Sequence, residues 1–185
     1  GNACSWPVLI AQLAWFMHWK KFLISLRNVF QMKIHIKRIN INSSNLNYYF
    51  NIIYKFRNNP EYLRLNNIKR VSKKDSKEWF LKNQDNRIFF LIKYENRNAG
   101  IFNFNKLNPT FSQVILKKFR NKKIGKISAT LLLKKLKKLR YFRLITFASK
   151  NNIASYKIHK SISYNFKPHK NKNKFYKFYI NTRNF

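Results

Sequence analysis

Val114-Ile-Leu-Lys-Lys-Phe-Arg-Asn-Lys-Lys-Ile-Gly-Lys126 joins an apolar strand to a long amphipathic helix through a basic turn. A helix N-terminus carries backbone N–H groups with no partner inside the helix. Here the turn surrounds them with Arg120, Lys122, Lys123 and Lys126, while Asn121, Ile124 and Gly125 add backbone amides. That combination of free amides and positive charge suits a phosphate-bearing cofactor. Other familiar chemistries are excluded. Cys4 is the single cysteine, so neither an internal disulfide nor a cysteine-based metal site can form. His18, His35, His159 and His169 lack metal-ligand spacing and have almost no carboxylate support, so no metal is expected.

The elements that must position the basic turn can be read from periodicity. Lys33 to Ile41 alternates apolar and polar residues and reads as a half-buried strand. Asn42-Ser43-Ser44 can cap a helix from Asn45 to about Phe56, which Arg57-Asn58-Asn59-Pro60 ends. Ser72 or Asp75 caps a second helix reaching about Asn83. Ile88–Ile92 is a short buried strand; Glu95–Asn98 turns it into Ala99–Asn105, and Asn108-Pro109 turns again into Ser112–Phe119. In the helix after Gly125, Ala129, Leu132, Leu133, Leu136 and Leu139 form one face and lysines the other. A strand over Arg143–Ala148, a helix from Asn152 to about Ser161, Tyr164–Phe166 and a terminal strand over Phe175–Ile180 complete the order β-α-α-β-β-β-α-β-α-β-β. A mixed sheet with helices on its faces is the natural packing.

The charge balance is extreme, with 40 Lys and Arg against 5 Asp and Glu in 185 residues. Such a balance points first to a polyanion, meaning nucleic acid or an anionic membrane surface. Two features compete with that reading. Abundant Asn, Lys, Ile, Phe and Tyr with only 3 Gly and 4 Pro is what an AT-rich coding sequence produces, and the lysines are spread along the chain. A hydrophobic content of 45% argues against disorder. Residues 1–31 differ from the rest, holding Trp6, Trp15 and Trp19 and the cysteine. The apolar run Trp6–Met17 is short of the ~20 residues that span a bilayer. It reads either as an interfacial helix or as an extension outside a domain of residues 32–185 that starts at Met32. One cysteine fits a reducing, cytoplasmic compartment.

Three segments resemble the GNAT family of acetyl-CoA-dependent N-acetyltransferases. Phe119-Arg-Asn-Lys-Lys-Ile-Gly-Lys126 is similar to the family's (Gln/Arg)-x-x-Gly-x-(Gly/Ala) loop, with Arg120 and Gly125 at its outer positions and Lys123 at the middle glycine. Asn151–Tyr164 resembles the family's N-x-x-S/A segment, with Ser163 and Tyr164 in place of its closing Gly-Phe. Tyr54-Lys-Phe-Arg-Asn-Asn-Pro60 with Val71–Trp79 looks like a branch that includes ribosomal-protein and amino-sugar-nucleotide N-acetyltransferases. The resemblance implies a twisted mixed α/β sheet of six to seven strands with about four helices on its faces.

It further implies acetyl-CoA as co-substrate and a primary amine as acceptor, favouring a nucleotide-linked amino sugar. In the resemblance, residues 120–126 hold the coenzyme A pyrophosphate, Asn152 and Ser155 meet the pantetheine arm, and an amide of Ile115 or Leu116 polarises the thioester carbonyl. His159 stands where the family often has the tyrosine that protonates the leaving thiolate, and a reference pKa near ~6.5 suits that work. Tyr164 and Tyr156 are alternative acids. Arg57 and Asn58 fall on the acceptor side, although Arg57 also suits a helix C-terminus. Ser112 occupies roughly the place of the family's glutamate base. Acetylation of protein N-termini, an RNA- or ribosome-associated role for a basic protein, and a decayed homologue remain open alternatives.

Overall fold

The computed structural model describes residues 15–21, 33–42, 44–66, 68–169 and 174–185. Most of the 1–31 extension, the start at Met32 and Ser43 of the capping run lie outside them. Residues 15–21 form a short exposed helix with Trp15 stacked on Trp19 at 6.0 Å. The remainder runs β1 (Ile34–Arg38), α1 (Leu46–Arg57), α2 (Pro60–Asn66), α3 (Lys73–Asn83), β2 (Arg87–Tyr94), β3 (Arg97–Asn105), β4 (Thr110–Ile115), α4 (Ile124–Lys138), β5 (Arg143–Ser149), α5 (Ile153–Ile162), β6 (Asn165–Pro168) and β7 (Phe175–Asn181).

The seven strands form one mixed sheet in the order β1-β2-β3-β4-β5-β7-β6. Neighbours are antiparallel except β4 and β5. Period-two alternation divides the strand side chains between two cores. Phe89, Leu91, Ile101 and Val114 face α1 and α3, meeting Phe50, Ile53, Phe56 and Phe80. Phe90, Ile92, Phe102, Phe104 and Phe111 face the other side, under Leu132, Leu133 and Leu136 of α4. A sheet covered on both faces explains why β2 reads as an unbroken apolar run. Burying each such side chain contributes roughly 1.5–3 kcal/mol.

Local chemistry sets the turns. Ser72 accepts from the Asp75 N–H and caps α3, and the Asn42 carboxamide accepts from the Asn45 N–H before α1. Glu95 and Asn96 both take positive φ, as a two-residue hairpin turn requires. Of the expected stripe on α4, Ala129, Leu132, Leu133 and Leu136 are buried, whereas Leu139 sits at the C-cap, half exposed.

One helix was not expected. Pro60 ends α1 but also begins α2, since proline's missing N–H costs nothing at the first helical position. No residue of α2 is buried, so it carried no apolar stripe to read. The observed order therefore has three helices between β1 and β2 rather than two.

Candidate active site

β4 and β5 stay together only briefly. Their register holds at Thr110↔Ile145 and Phe111↔Thr146 and then ends, while β4 remains paired to β3 through Ile115. The strands part, and a cleft of about 310 Å³ opens at the divergence. Its walls are the end of β4, the N-termini of α4 and α5, and α2.

Alternation along β4 determines which backbone groups face the gap. The Leu116 N–H donates to Ala99 O of β3 at 3.0 Å. In an antiparallel ladder that places Val114 and Ser112 in the same hydrogen-bonding phase, and points the amides of Ile115 and Gln113 away from β3. Of the two expected polarising amides, Leu116 is therefore already taken and Ile115 remains. The Ile115 carbonyl accepts from Arg120 Nε at 3.2 Å and Nη2 at 3.1 Å.

The loop before α4 lines the cleft with Arg120, Asn121, Lys123, Ile124, Gly125 and Lys126. Lys122 does not; its Nζ lies 5.5 Å over the Tyr94 ring. Asn121 and Lys123 take φ of 60° and 57°. Lys123 thus sits in the left-handed region, where a glycine would be unstrained. It is also the N-cap of α4 and makes no side-chain capping bond. The first amides of α4 accordingly keep no partner of their own helix or cap. A Cβ on Gly125 would lie 2.7 Å from the tip of Ile158, so the glycine also lets α5 pack against the start of α4. Gln113 Nε2 ties β4 to this helix start through Gly125 O and Ser128 Oγ, both at 2.9 Å.

Arg120 does not point freely into the cleft. Besides Ile115 O, its guanidinium is ion-paired with Glu61 of α2, both side chains being about three-quarters buried. This pair fastens the unburied helix α2 across the cleft. Asn152 and Ser155 line the opposite side, and the Asn152 side chain caps α5 by accepting from the Ser155 N–H at 3.1 Å.

The expected proton donors lie elsewhere. His159 is buried between Phe111 and Phe178, at 5.6 Å from each ring, with Nδ1 unpaired. Burial lowers its pKa to about 4, so the imidazole is neutral at pH 7. It is not on the cleft wall. Tyr164 follows α5 and is exposed, and Tyr156 packs among Phe166, Tyr176 and Phe178.

Sequence reasoning missed Tyr62. It is the phenol that lines the cleft, and it also lines two adjoining hollows of about 60 and 500 Å³. Burial raises its pKa, against the opposing influence of Arg57 and of a hydrogen bond with Ser112. Its signal was hidden because α2 itself went unread. Arg57 lines the smaller hollow, with Cζ 5.2 Å from the centre of the Trp79 ring. Asn58 accepts from the Val71 N–H at 2.9 Å and shapes the chain after α2 instead of entering the cleft. Among the described residues no cluster of His, Cys, Asp and Glu could hold a metal, and no helix is long and apolar enough to cross a membrane.

No family model matches this sequence, and no curated protein does. Solved structures do match. A domain from Methanocaldococcus jannaschii DSM 2661 is 25% identical with a TM-score of 0.63, over 80% of this chain and 99% of that one. Spermidine N-acetyltransferase from Vibrio cholerae, in complex with CoA and spermine, is 11% identical with a TM-score of 0.64, over 82% of this chain and 97% of that one. A GNAT-family acetyltransferase from Bacillus anthracis is 16% identical with a TM-score of 0.57, over 80% and 95%. The mixed sheet and its parted strands are thus the GNAT fold.

Proposed function

We propose that this protein is an N-acetyltransferase that moves the acetyl group of acetyl-CoA to a primary amine, with residues 32–185 as the catalytic domain. The observation that carries the reading is the parting of β4 from β5 directly beside the uncapped N-terminus of α4. The cleft offers what a thioester with a pyrophosphate needs. The first amides of α4, with Lys123 and Lys126, meet the phosphates. Asn152 and Ser155 lie along the arm, and the Ile115 amide faces the gap where the thioester carbonyl is polarised. As the amine attacks, its nitrogen forms the new C–N bond, the C–S bond breaks, and the thiolate must be protonated.

Tyr62 is assigned that proton. A phenol whose pKa is raised stays protonated, and it stands between the cleft and the hollows beyond Ser112. No carboxylate lines the cleft, so the attacking amine releases its own proton to water. The acceptor favoured by the resemblance of residues 54–79 is a nucleotide-linked amino sugar.

Acetyl-CoA should raise the melting temperature in a saturable, concentration-dependent way. Tyr62→Phe should retain that shift while slowing turnover by about a hundredfold, the usual loss of one general acid. An absent acetyl-CoA shift, together with RNA binding that weakens steeply with salt, would replace this reading with a nucleic-acid role for the +35 charge.

A further inference from the structure

Beyond Tyr62 the cleft continues into a wall that carries two guanidinium groups and no carboxylate. Arg57 ends α1 and Arg87 begins β2, and both guanidinium groups pack against Trp79 of α3. The two Cζ atoms lie 5.2 and 5.3 Å from the centre of the same indole ring. Among the described residues neither arginine forms an ion pair, and Arg87 reaches Asn103 Oδ1 at 3.4 Å. Arg57, Trp79 and Ser112 line the smaller hollow, Arg87, Asn103 and Ser112 the larger one, and Tyr62 lines both. None of the five acidic residues lines either hollow. Burial lowers the pKa of Arg87, and the Arg57 charge lowers it further, so the two cations feel each other. Like charges held this way disfavour one another until an anion joins them.

We propose that Arg57 and Arg87, set around Trp79, bind a phosphate group of the acceptor, so that the amine acetylated is one carried on a phosphorylated small molecule. The assignment rests on the N-acetyltransferase reading above. It gives roles to Arg87, which no motif reached, and to Trp79, which the resemblance included without a role. Guanidinium forks match phosphate oxygens two at a time, and more strongly than neutral donors do. The indole fixes both forks by cation–π contact and leaves their outer edges to the ligand. The same wall repels a polyamine, the kind of molecule bound by the Vibrio cholerae neighbour. Neither hollow has a carboxylate to offset the like charges of a polycation.

The test separates the arginine wall from the coenzyme site. UDP is titrated at ~0.15 M salt with CoA saturating, so that the pyrophosphate site is filled and surface charge is screened. Tryptophan emission is the readout, and Trp79→Phe identifies the share that reports on the wall. The expected result is a saturable change that the Phe variant lacks. Arg57→Gln and Arg87→Gln should each weaken UDP about tenfold, with the double variant abolishing binding and the Lys variants recovering part of it. The acetyl-CoA shift in melting temperature should be the same in all of them, which also shows that they are folded. In turnover, a phosphorylated amino sugar should exceed its neutral parent in kcat/KM by about tenfold or more, and the double variant should erase that ratio. UDP binding that survives the double variant, no saturable UDP signal, or spermine as the better acceptor would each overturn the proposal. Loss of the acetyl-CoA shift in the unmodified protein would overturn the coenzyme reading instead, and the UDP titration, which needs no turnover, would still decide the arginine wall.

Discussion

β4 separates two halves of the cleft that treat their polar groups in opposite ways. In the half formed by α4 and α5, most side chains are already satisfied from within. Arg120 is held by Ile115 O and Glu61, Gln113 by Gly125 O and Ser128, and Asn152 by the α5 amide it caps. In the half formed by α1, α3 and β2, Arg57 and Arg87 both pack on Trp79 and feel each other's charge without a counter-charge. The first half is pre-organised, and its helix amides, free of any capping side chain, are the groups proposed to bind. The second half holds its side chains ready and completes its electrostatics only when a ligand arrives.

The largest way to disturb one half alone is acid. His159, on the buried face of α5, has a pKa of about 4 instead of 6.5. Between those values the unfolded chain binds a proton that the folded chain refuses, so stability rises with pH across that window. The contribution is complete above about 6.5, is lost as pH falls towards 4, and amounts to about 3 kcal/mol. Urea denaturation between pH 4 and 7 should show that slope, and His159→Phe, which suits the gap between Phe111 and Phe178, should flatten it. A slope unchanged by the substitution would move the acid sensitivity to some other group. In the other half, burial sends Tyr62 upward from 10, away from this window.

A smaller effect tests whether the first half is truly pre-organised. Arg120→Gln removes two bonds to Ile115 O and strands Glu61, and should cost about 1–2 kcal/mol in the same measurement. Glu61→Gln should separate the two possible duties of the arginine. If Arg120 serves by holding α2 and the strand end, acetyl-CoA binds more weakly in both variants. If Glu61→Gln tightens acetyl-CoA, the ion pair is a latch that competes with the pyrophosphate, and the half is less pre-organised than its bonds suggest.

The two halves also differed in how far the sequence revealed them. The loop at 120–126 was legible because strand, basic turn and periodic helix are contiguous, and free helix amides follow from that order alone. The cap at Ser72 was legible for the same local reason, whereas Asn152 was read as the first residue of its helix and proved to be the cap. The pairing of Arg57 with Arg87 was not, since 30 residues and two helices separate them and only the fold brings both to Trp79. Tyr62 was lost with α2, whose lack of any buried residue left no periodicity to find. His159 shows the opposite failure. A motif position suggested chemistry, but the side chain turns from α5 into the core between two phenylalanines, and periodicity cannot tell a cleft-facing histidine from a core-facing one.

The smallest predicted effect concerns Lys123, where the sequence departs from the loop it resembles. A lysine at φ 57° carries strain that glycine would relieve. Lys123→Gly should therefore stabilise the fold by about 1 kcal/mol, a rise of roughly 2–4 °C in melting temperature. The same change removes a cation from the cleft wall, where the amides of α4 have no capping side chain to help them. Charge-assisted contacts outweigh neutral ones, so acetyl-CoA affinity should fall by about fivefold although the protein is more stable. Opposite signs for stability and affinity would mean that Lys123 is kept for its charge, at a cost in backbone strain. A gain in both would mean that the side chain crowds the phosphates, and the half that looks pre-organised would be so everywhere except at its own helix cap.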